Sequence, residues 1–452
     1  LFLSCYRFCR LCFQDFSKNQ VKIEYFLRFT SRYKMSLNHR INALPREMQR
    51  EIISHLDELS IAVVRFVVFG TQIPWNTIID KSVVYSSGIG FFTWVFTTNQ
   101  NYVEWFYAAK TGDVSIVKFL ITKDNGCSAI GCGLAAGGHL ELLKYAKSQG
   151  CPLYEGTCVR AARNGHLTVL QWLRSVECKW NEHVCTSAAA NGHLDVLKWA
   201  FGEKCPWSAG TCAAAAEGGH LSILQWLRSP GVSGRPGVPG EICPWDYRTC
   251  DAAARNGRLD ILQYARSQQC PWYTRTCSTA AANGHLDILV WARNNGCPWD
   301  LWTCTLAAKH GHFDILKWAR SQGCPWDTLT CAEAARGGHL EILKWLRFGT
   351  SSEHSVISGE ECPWDELTCA MAAQAGHLDI LKWVRSQGCP WDELTCAQAA
   401  QHGRFAVLQW LRSSESGEVC PWDVETYRRA VSANNTEMLQ WLDNNGCPKP
   451  LL

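Results

Sequence analysis

The chain has 452 residues, a length that would fill about three domains of ordinary size. Charged residues make up 19% of it, below the roughly 25% of an ordinary soluble protein, and the formal net charge is only +3, which leaves no field that makes nucleic acid or an anionic membrane the default partner. A hydrophobic content of 47% excludes general disorder, and 25 Cys and 22 Trp against 4 Met point to one short motif copied many times.

Residues 1–36 stand apart. The chain opens on Leu1 and its first Met is Met35, so this stretch is read as an uncertain N-terminal segment, upstream of the true start or part of a longer protein. Phe2 and Leu3 run directly into Cys5, Arg7, Cys9, Arg10 and Cys12, which is not the continuous apolar region of a signal peptide. Residues 37–70 read as an amphipathic helical segment, with Leu44, Met48, Ile52 and Leu56 at helical spacing. The apolar stretch Ile61 to Phe69 contains Arg65 and ends at Gly70, short of the about 20 residues a membrane span needs, so no membrane partner is expected. The run from Ile41 to Asp57, with Leu44-Pro45, Glu47 and a helix closing near Leu56, resembles the opening half of an F-box. That resemblance implies docking onto an adaptor of a cullin-type ubiquitin ligase, with the rest of the chain recognising the substrate. The second half departs from the family. Val63, Val64, Phe66 and Val67 are apolar, but the Val-Cys and Trp of the F-box are missing. The competing reading is a helix that caps the flank of the repeats behind it.

From residue 73 onward the chain is repetitive. The Cys of Cys389-Pro390-Trp391-Asp392 has equivalents at Cys151, Cys178, Cys205, Cys243, Cys270, Cys297, Cys324, Cys362, Cys420 and Cys447, mostly 27 residues apart. The steps from Cys205 to Cys243 and from Cys324 to Cys362 are 38, and that from Cys389 to Cys420 is 31. The added residues fall after the second half of the unit, and the Gly, Pro and Ser of residues 229–237 mark them as surface loop. Upstream, Ile73-Pro74-Trp75-Asn76 reads as a worn copy, and Trp94 follows Pro74 at the spacing that separates Trp410 from Pro390. The span 73–452 therefore holds about thirteen units, the first ones degenerate.

Each unit predicts two short helices. Asp392 can cap the first, in which Cys396, Ala399 and Ala400 share a face and which Gly403 ends. In the second, Ile380, Leu381, Trp383 and Val384 form an apolar stripe, with Asp379 near the start and Lys382 and Arg385 near the end, as the helix dipole prefers. A unit of this size cannot bury its apolar side alone, whereas stacked copies can, so the expected fold is an all-α solenoid. The strings Ala372-Ala373 then Gly376-His377-Leu378-Asp379-Ile380-Leu381, and Ala399-Ala400 then Gly403, resemble the ankyrin repeat. Similar strings recur at Ala161-Ala162/Gly165-His166, Ala280-Ala281/Gly284-His285 and Ala307-Ala308/Gly311-His312. The resemblance covers about 380 residues. It implies an ankyrin-like solenoid that acts as a non-enzymatic, monomeric scaffold for a protein partner, with its first helices lining a concave side. The chain departs from the family where Leu394-Thr395-Cys396-Ala397 stands in place of Thr-Pro-Leu-His, which removes the family's cross-linking His. A 27-residue unit also implies a clipped hairpin between units, restored as a finger only near residues 229–242 and 348–361.

The chemistry-bearing residues are read against that scaffold. Nine units carry Cys at both i and i+7. A metal-binding protein using these Cys and the repeated His is an alternative, but structural zinc uses short Cys-x2–4-Cys hairpins, and small buried thiols are ordinary core residues. No cofactor is expected. No secretion signal is visible, so reduced thiols and an intracellular location, cytoplasmic or nuclear, are expected. The repeated Trp, as at Trp364 and Trp383, occupy slots that ankyrin repeats fill with apolar side chains. A base-stacking platform would need an interleaved basic stripe that the composition lacks, so nucleic acid is not an expected partner. His139, His166, His193, His220, His285, His312, His339 and His377 follow Gly at a helix start. They suggest either a cap or rim role or a joint pH sensor, and Arg258 and Arg404 in the same column exclude a ligand role. No phosphate loop, Ser-His-Asp pattern or His-Glu-x-x-His is present, which argues against an enzyme.

Two columns on the first helices vary while the rest of the unit repeats. One supplies Arg163, Glu217, Arg255, Lys309, Arg336, Gln374 and Gln401, and the other Arg160, Glu333, Met371 and Gln398. A constant scaffold carrying a varied face is what a partner-binding surface requires, so these eleven residues are the candidate contact set.

Overall fold

Short polar and glycine punctuation sets where each helix begins and stops, and a computed structural model of the chain shows the result for residues 102–123, 128–229, 242–349 and 361–450. The segments 1–36 and 37–70, the F-box-like run, the degenerate unit at residue 73 and nearly all of the two expected fingers lie outside the described residues. Among the described residues there are 24 α-helices, a single turn of 3-10 helix at Ser414–Ser416 and no strand. The helices come in pairs. One body, ending at Leu153, holds Tyr102–Lys110 with Val114–Lys123 and Ser128–Gly137 with Leu140–Ser148. The other begins at Tyr154 and holds ten pairs, from Glu155–Arg163 with Leu167–Ser175 to Val424–Ser432 with Thr436–Asn444. It is an all-α, helical-repeat solenoid.

Asp392 caps its helix as the sequence predicts. Its Oδ1 accepts the amide of Leu394 at 3.1 Å, and Asp246, Asp300, Asp327, Asp365, Asp423 and Asn181 do the same for their helices. Such a cap contributes about 1 kcal/mol. The first helices of successive units pack on one another through faces of small residues. Ala399, Ala400 and Cys396 are fully buried, as are their equivalents in the preceding units of the same body, whereas Val431 of the last unit is exposed. Ile380, Leu381 and Val384 of the second helix are buried beneath them.

Three kinds of link recur between successive units. The first is made by the Gly-His residues. His339 Nε2 lies 3.1 Å from the carbonyl of Lys309 in the preceding unit, and His193, His285 and His312 reach Arg163, Arg255 and Ala282 in the same way. A carbonyl can only accept, so Nε2 carries the proton. The helix-cap expectation is therefore corrected: these His stand at the N-cap position but make no side-chain cap bond. Arg404 Nε takes the same carbonyl role at Gln374, 3.1 Å away. The glycine before each His has two reasons to be glycine. Gly165 has φ +75°, and a Cβ there would stand 2.5 Å from Nδ1 of His193.

The second link is a pair of thiols. Cys304 of one first helix lies against Cys324 of the next unit, and Cys324 Sγ donates to the carbonyl of Asp300 at 3.5 Å. Nine such pairs run through the body that begins at Tyr154, including Cys212 with Cys243 and Cys331 with Cys362. The latter two flank the long inserts, so the register resumes unchanged after each one. All 21 described cysteines are buried thiols. The neighbouring thiol and burial push one thiol of each pair far above the ordinary thiol range, while the less enclosed Cys447 is raised to about 11 by burial.

The third link is an arginine clamp. Arg320 Nη1 donates to the carbonyl of Cys324 at 3.1 Å while its guanidinium lies 4.1 Å over the ring of Trp326. Trp326 in turn meets Trp345 edge-on, with centroids 5.9 Å apart. The tryptophans are thus half-buried bridges on the outer edge of the core rather than its centre.

Two outcomes test these links. Gly165→Ala is expected to cost about 1–3 kcal/mol in urea unfolding, and adding His193→Ala should recover the steric part but not the part due to positive φ. Iodoacetamide at mildly alkaline pH should leave the nine thiol pairs unmodified in the folded chain and modify them after urea unfolding, read by peptide mass spectrometry.

Candidate partner-binding face

The capped start of each first helix and the buried Ala-Ala pair fix which side chains face outward. With those positions committed to neighbours, the remaining residues of the first helix project away from the second helix. Arg163, Glu217, Arg255, Arg336 and Gln401 are exposed there, and Arg160, Lys309, Met371, Gln374 and Gln398 are half-exposed. Glu333 is the exception among the candidates. It is buried, with its carboxylate held by Lys309 Nζ of the preceding unit at 2.9 Å and by Arg336 Nη1 at 3.5 Å. These three form an ion cluster inside the scaffold, so Lys309 and Arg336 spend their charge locally. Arg429 Nη1 donates to Gln401 Oε1 at 3.2 Å, and Gln374 Nε2 meets His402 Nε2 at 3.2 Å. Arg163, Glu217 and Arg255 make no ion pair among the described residues.

The face is indented between the first helices Tyr247–Arg255, Thr274–Ala282 and Leu301–Lys309 by a cavity of about 440 Å³. Arg255, Arg275, Thr279, Asp300, Trp302 and Leu306 are among its lining residues. Of the eleven candidates only Arg255 lines it. Sequence reasoning missed Arg275 and Trp302 because they sit near the helix start rather than in the two variable columns. Their signal was there to read: three successive units carry Arg248, Arg275 and Trp302 where later ones carry Leu329, Leu367 and Leu394.

Under this indentation lies Asp251, 4% exposed, with Oδ1 accepting the hydroxyl of Thr276 at 2.8 Å and Oδ2 at 3.4 Å from Arg275 Nε. Burial raises its carboxyl above the ordinary range, against the opposing pull of Thr276 and Arg275. Among the described residues no group of three or more His, Cys, Asp and Glu converges as metal ligands would. No helix of the described residues is long and apolar enough to cross a membrane.

No family model and no curated protein matches the chain. Among solved structures it is similar to the human ASB11 ankyrin repeat domain, at 17% sequence identity and a TM-score of 0.32, over 44% of this chain and 99% of that one. The fold assignment rests on the helix pairs themselves.

Asp251 gives a pH-dependent outcome. Its folded carboxyl is raised, so between the ordinary value, about 4, and the raised one the folded state binds the extra proton. Stability then falls as pH rises through that window. Asp251→Asn, which keeps the acceptor for Thr276, should remove this part of the slope in denaturation midpoints measured across acidic pH.

Proposed function

We propose that the chain is a non-catalytic scaffold that binds a protein partner on the face carried by its first helices. The observation behind this reading is the division of labour within each unit. Cys, Ala-Ala, Gly, His and the Arg-Trp clamp are taken up by contacts between units, while Arg160, Arg163, Glu217, Arg255, Met371, Gln374, Gln398 and Gln401 differ from copy to copy and point outward from the first helices. A surface whose substitutions leave the stack intact is free to match a partner. The absence of activated groups fits the same reading. The large pKa shifts are those of thiols driven upward, away from nucleophilic or metal-binding forms. Buried reduced thiols suit an intracellular location. A metal-binding function is the weaker reading, because the thiols stand in twos rather than in sets of four.

The ligase role rests on the sequence from Leu44 to Leu56 alone. If that segment works as an F-box, the full chain co-purifies a cullin-type adaptor, and Leu44→Ala with Pro45→Ala abolishes this.

The test of the scaffold reading is affinity capture from a cell extract by the full chain, beside a variant with Arg163, Glu217 and Arg255 changed to Ala. These three are exposed and unneeded for packing, so the variant should melt at the same temperature yet lose a defined partner that the parent retains. Identical capture by both would count against the first-helix face.

A further inference from the structure

We propose that the indentation between the first helices of residues 247–309 is a docking site for an acidic peptide segment of a partner protein. The proposal deepens the partner-binding reading and rests on it. Three consecutive units differ here from the three that follow them. Where later units place a half-buried leucine at the second position of the first helix, these place Arg248, Arg275 and Trp302. Trp302 is 46% exposed, and Tyr273, just ahead of its helix, is 56% exposed. Tyr247 stands edge-on to Tyr273 with centroids 5.5 Å apart. Elsewhere in the body that begins at Tyr154 the tryptophans are half-buried or buried, clamped by arginine or packed on one another. An unclamped, exposed indole lining an indentation is the aromatic anchor that peptide-binding surfaces use.

The charges around the indentation fix the sign of the occupant. Arg275 is 63% exposed at its side chain, and its partner Asp251 lies beneath it, already engaged by Thr276. Asp300 turns its Oδ1 inward to the amide of Trp302 at 3.1 Å. Arg248 is satisfied by a bidentate pair with Asp246. Arg255 makes no ion pair among the described residues. The solvent-facing charge within the indentation is therefore two arginines, Arg255 and Arg275, against the one half-exposed carboxylate of Asp300, a net positive zone whose planar donors suit carboxylates. Arginine beside aromatic rings also suits single-stranded nucleic acid, but a strand needs a continued row of phosphate contacts. The column of Arg255 continues instead into exposed Glu217 on one side and, past Ala282, into Lys309 on the other, already held by Glu333. A short acidic segment with one large apolar side chain fits this limited positive zone.

The test is selection of a random peptide-display library on the full chain. Recovered peptides are then synthesised with a fluorescein label and titrated by anisotropy against the parent, Arg255→Glu and Trp302→Ala. Recovered peptides should be rich in Asp and Glu with a large apolar residue. Each variant should weaken binding by about tenfold or more. Exchange of the acidic residues for Lys should restore binding to Arg255→Glu, a rescue that a misfolded variant would not give. The proposal is overturned if the peptides carry no acidic excess, if both variants bind as tightly as the parent, or if labelled oligothymidine displaces the peptides. Peptides lost on Arg163→Glu but kept on Arg255→Glu overturn this site and leave the wider reading standing. Recovery of no peptide at all overturns both.

Discussion

The flank shared by neighbouring units is the constraint on which the rest depends. A pair of nine-residue helices has almost no interior of its own, and its Leu, Ile and Ala side chains leave water only when another pair lies against them. That contact is built in layers across the first helix. At its C-terminal end the next unit's His reaches a carbonyl over a glycine that has no side chain to obstruct it. In the middle, alanine and paired thiols keep the backbones close. Toward the second helix, arginine ties the carbonyl of the next Cys and covers its Trp. Each polar link is modest, about 1 kcal/mol for a net hydrogen bond and about 0.5–1 for an exposed cation over a ring. Repetition makes their sum large, because most interior units have several of them on each flank.

This arrangement has a functional consequence. Every strong interaction runs along the stack, from one unit to the next, and none crosses the outward side of the first helices. Residues there carry little of the folding energy, apart from Glu333 with its two cations. The scaffold can therefore tolerate Arg255, Ala282 and Lys309 in one column without altering its geometry.

Much of this was legible from the residues. The 27-residue period, the Asp cap, the Ala-Ala face and the terminating glycine each obey a local rule, and local rules are readable one copy at a time. The links between units were not, because they join positions 20 or 30 residues apart that no helical periodicity connects. The histidines show the difference. By position each His is an N-cap, and capping was one of the roles the sequence suggested. The ring instead serves the preceding unit, replacing from a new position the cross-linking His whose loss the Thr-Pro-Leu-His departure implied. The sign was available in Arg404, which shares with His only the ability to donate an N–H. The tryptophans likewise looked like core, since their partner arginine lies before the Cys and belongs to another unit.

Comparison of copies within the chain recovers that clamp. The residue at the end of the second helix and the one two places after the next Cys stay in contact when either changes. Arg with Trp is the common pair, as Arg320 with Trp326. Phe201 replaces the arginine in one copy and stacks on Trp207 with centroids 4.1 Å apart. At the C-terminal end Asp443 meets Lys449 at 2.9 Å in the same two places. Cation on ring, ring on ring and ion pair are chemically unrelated, yet each bridges one unit to the turn that starts the next. The interface thus fixes where a bond must be and leaves its chemistry open. A surface aromatic that has no such partner, as Trp302 has none, is then a departure from the pattern rather than a part of it, and its explanation has to come from outside the stack.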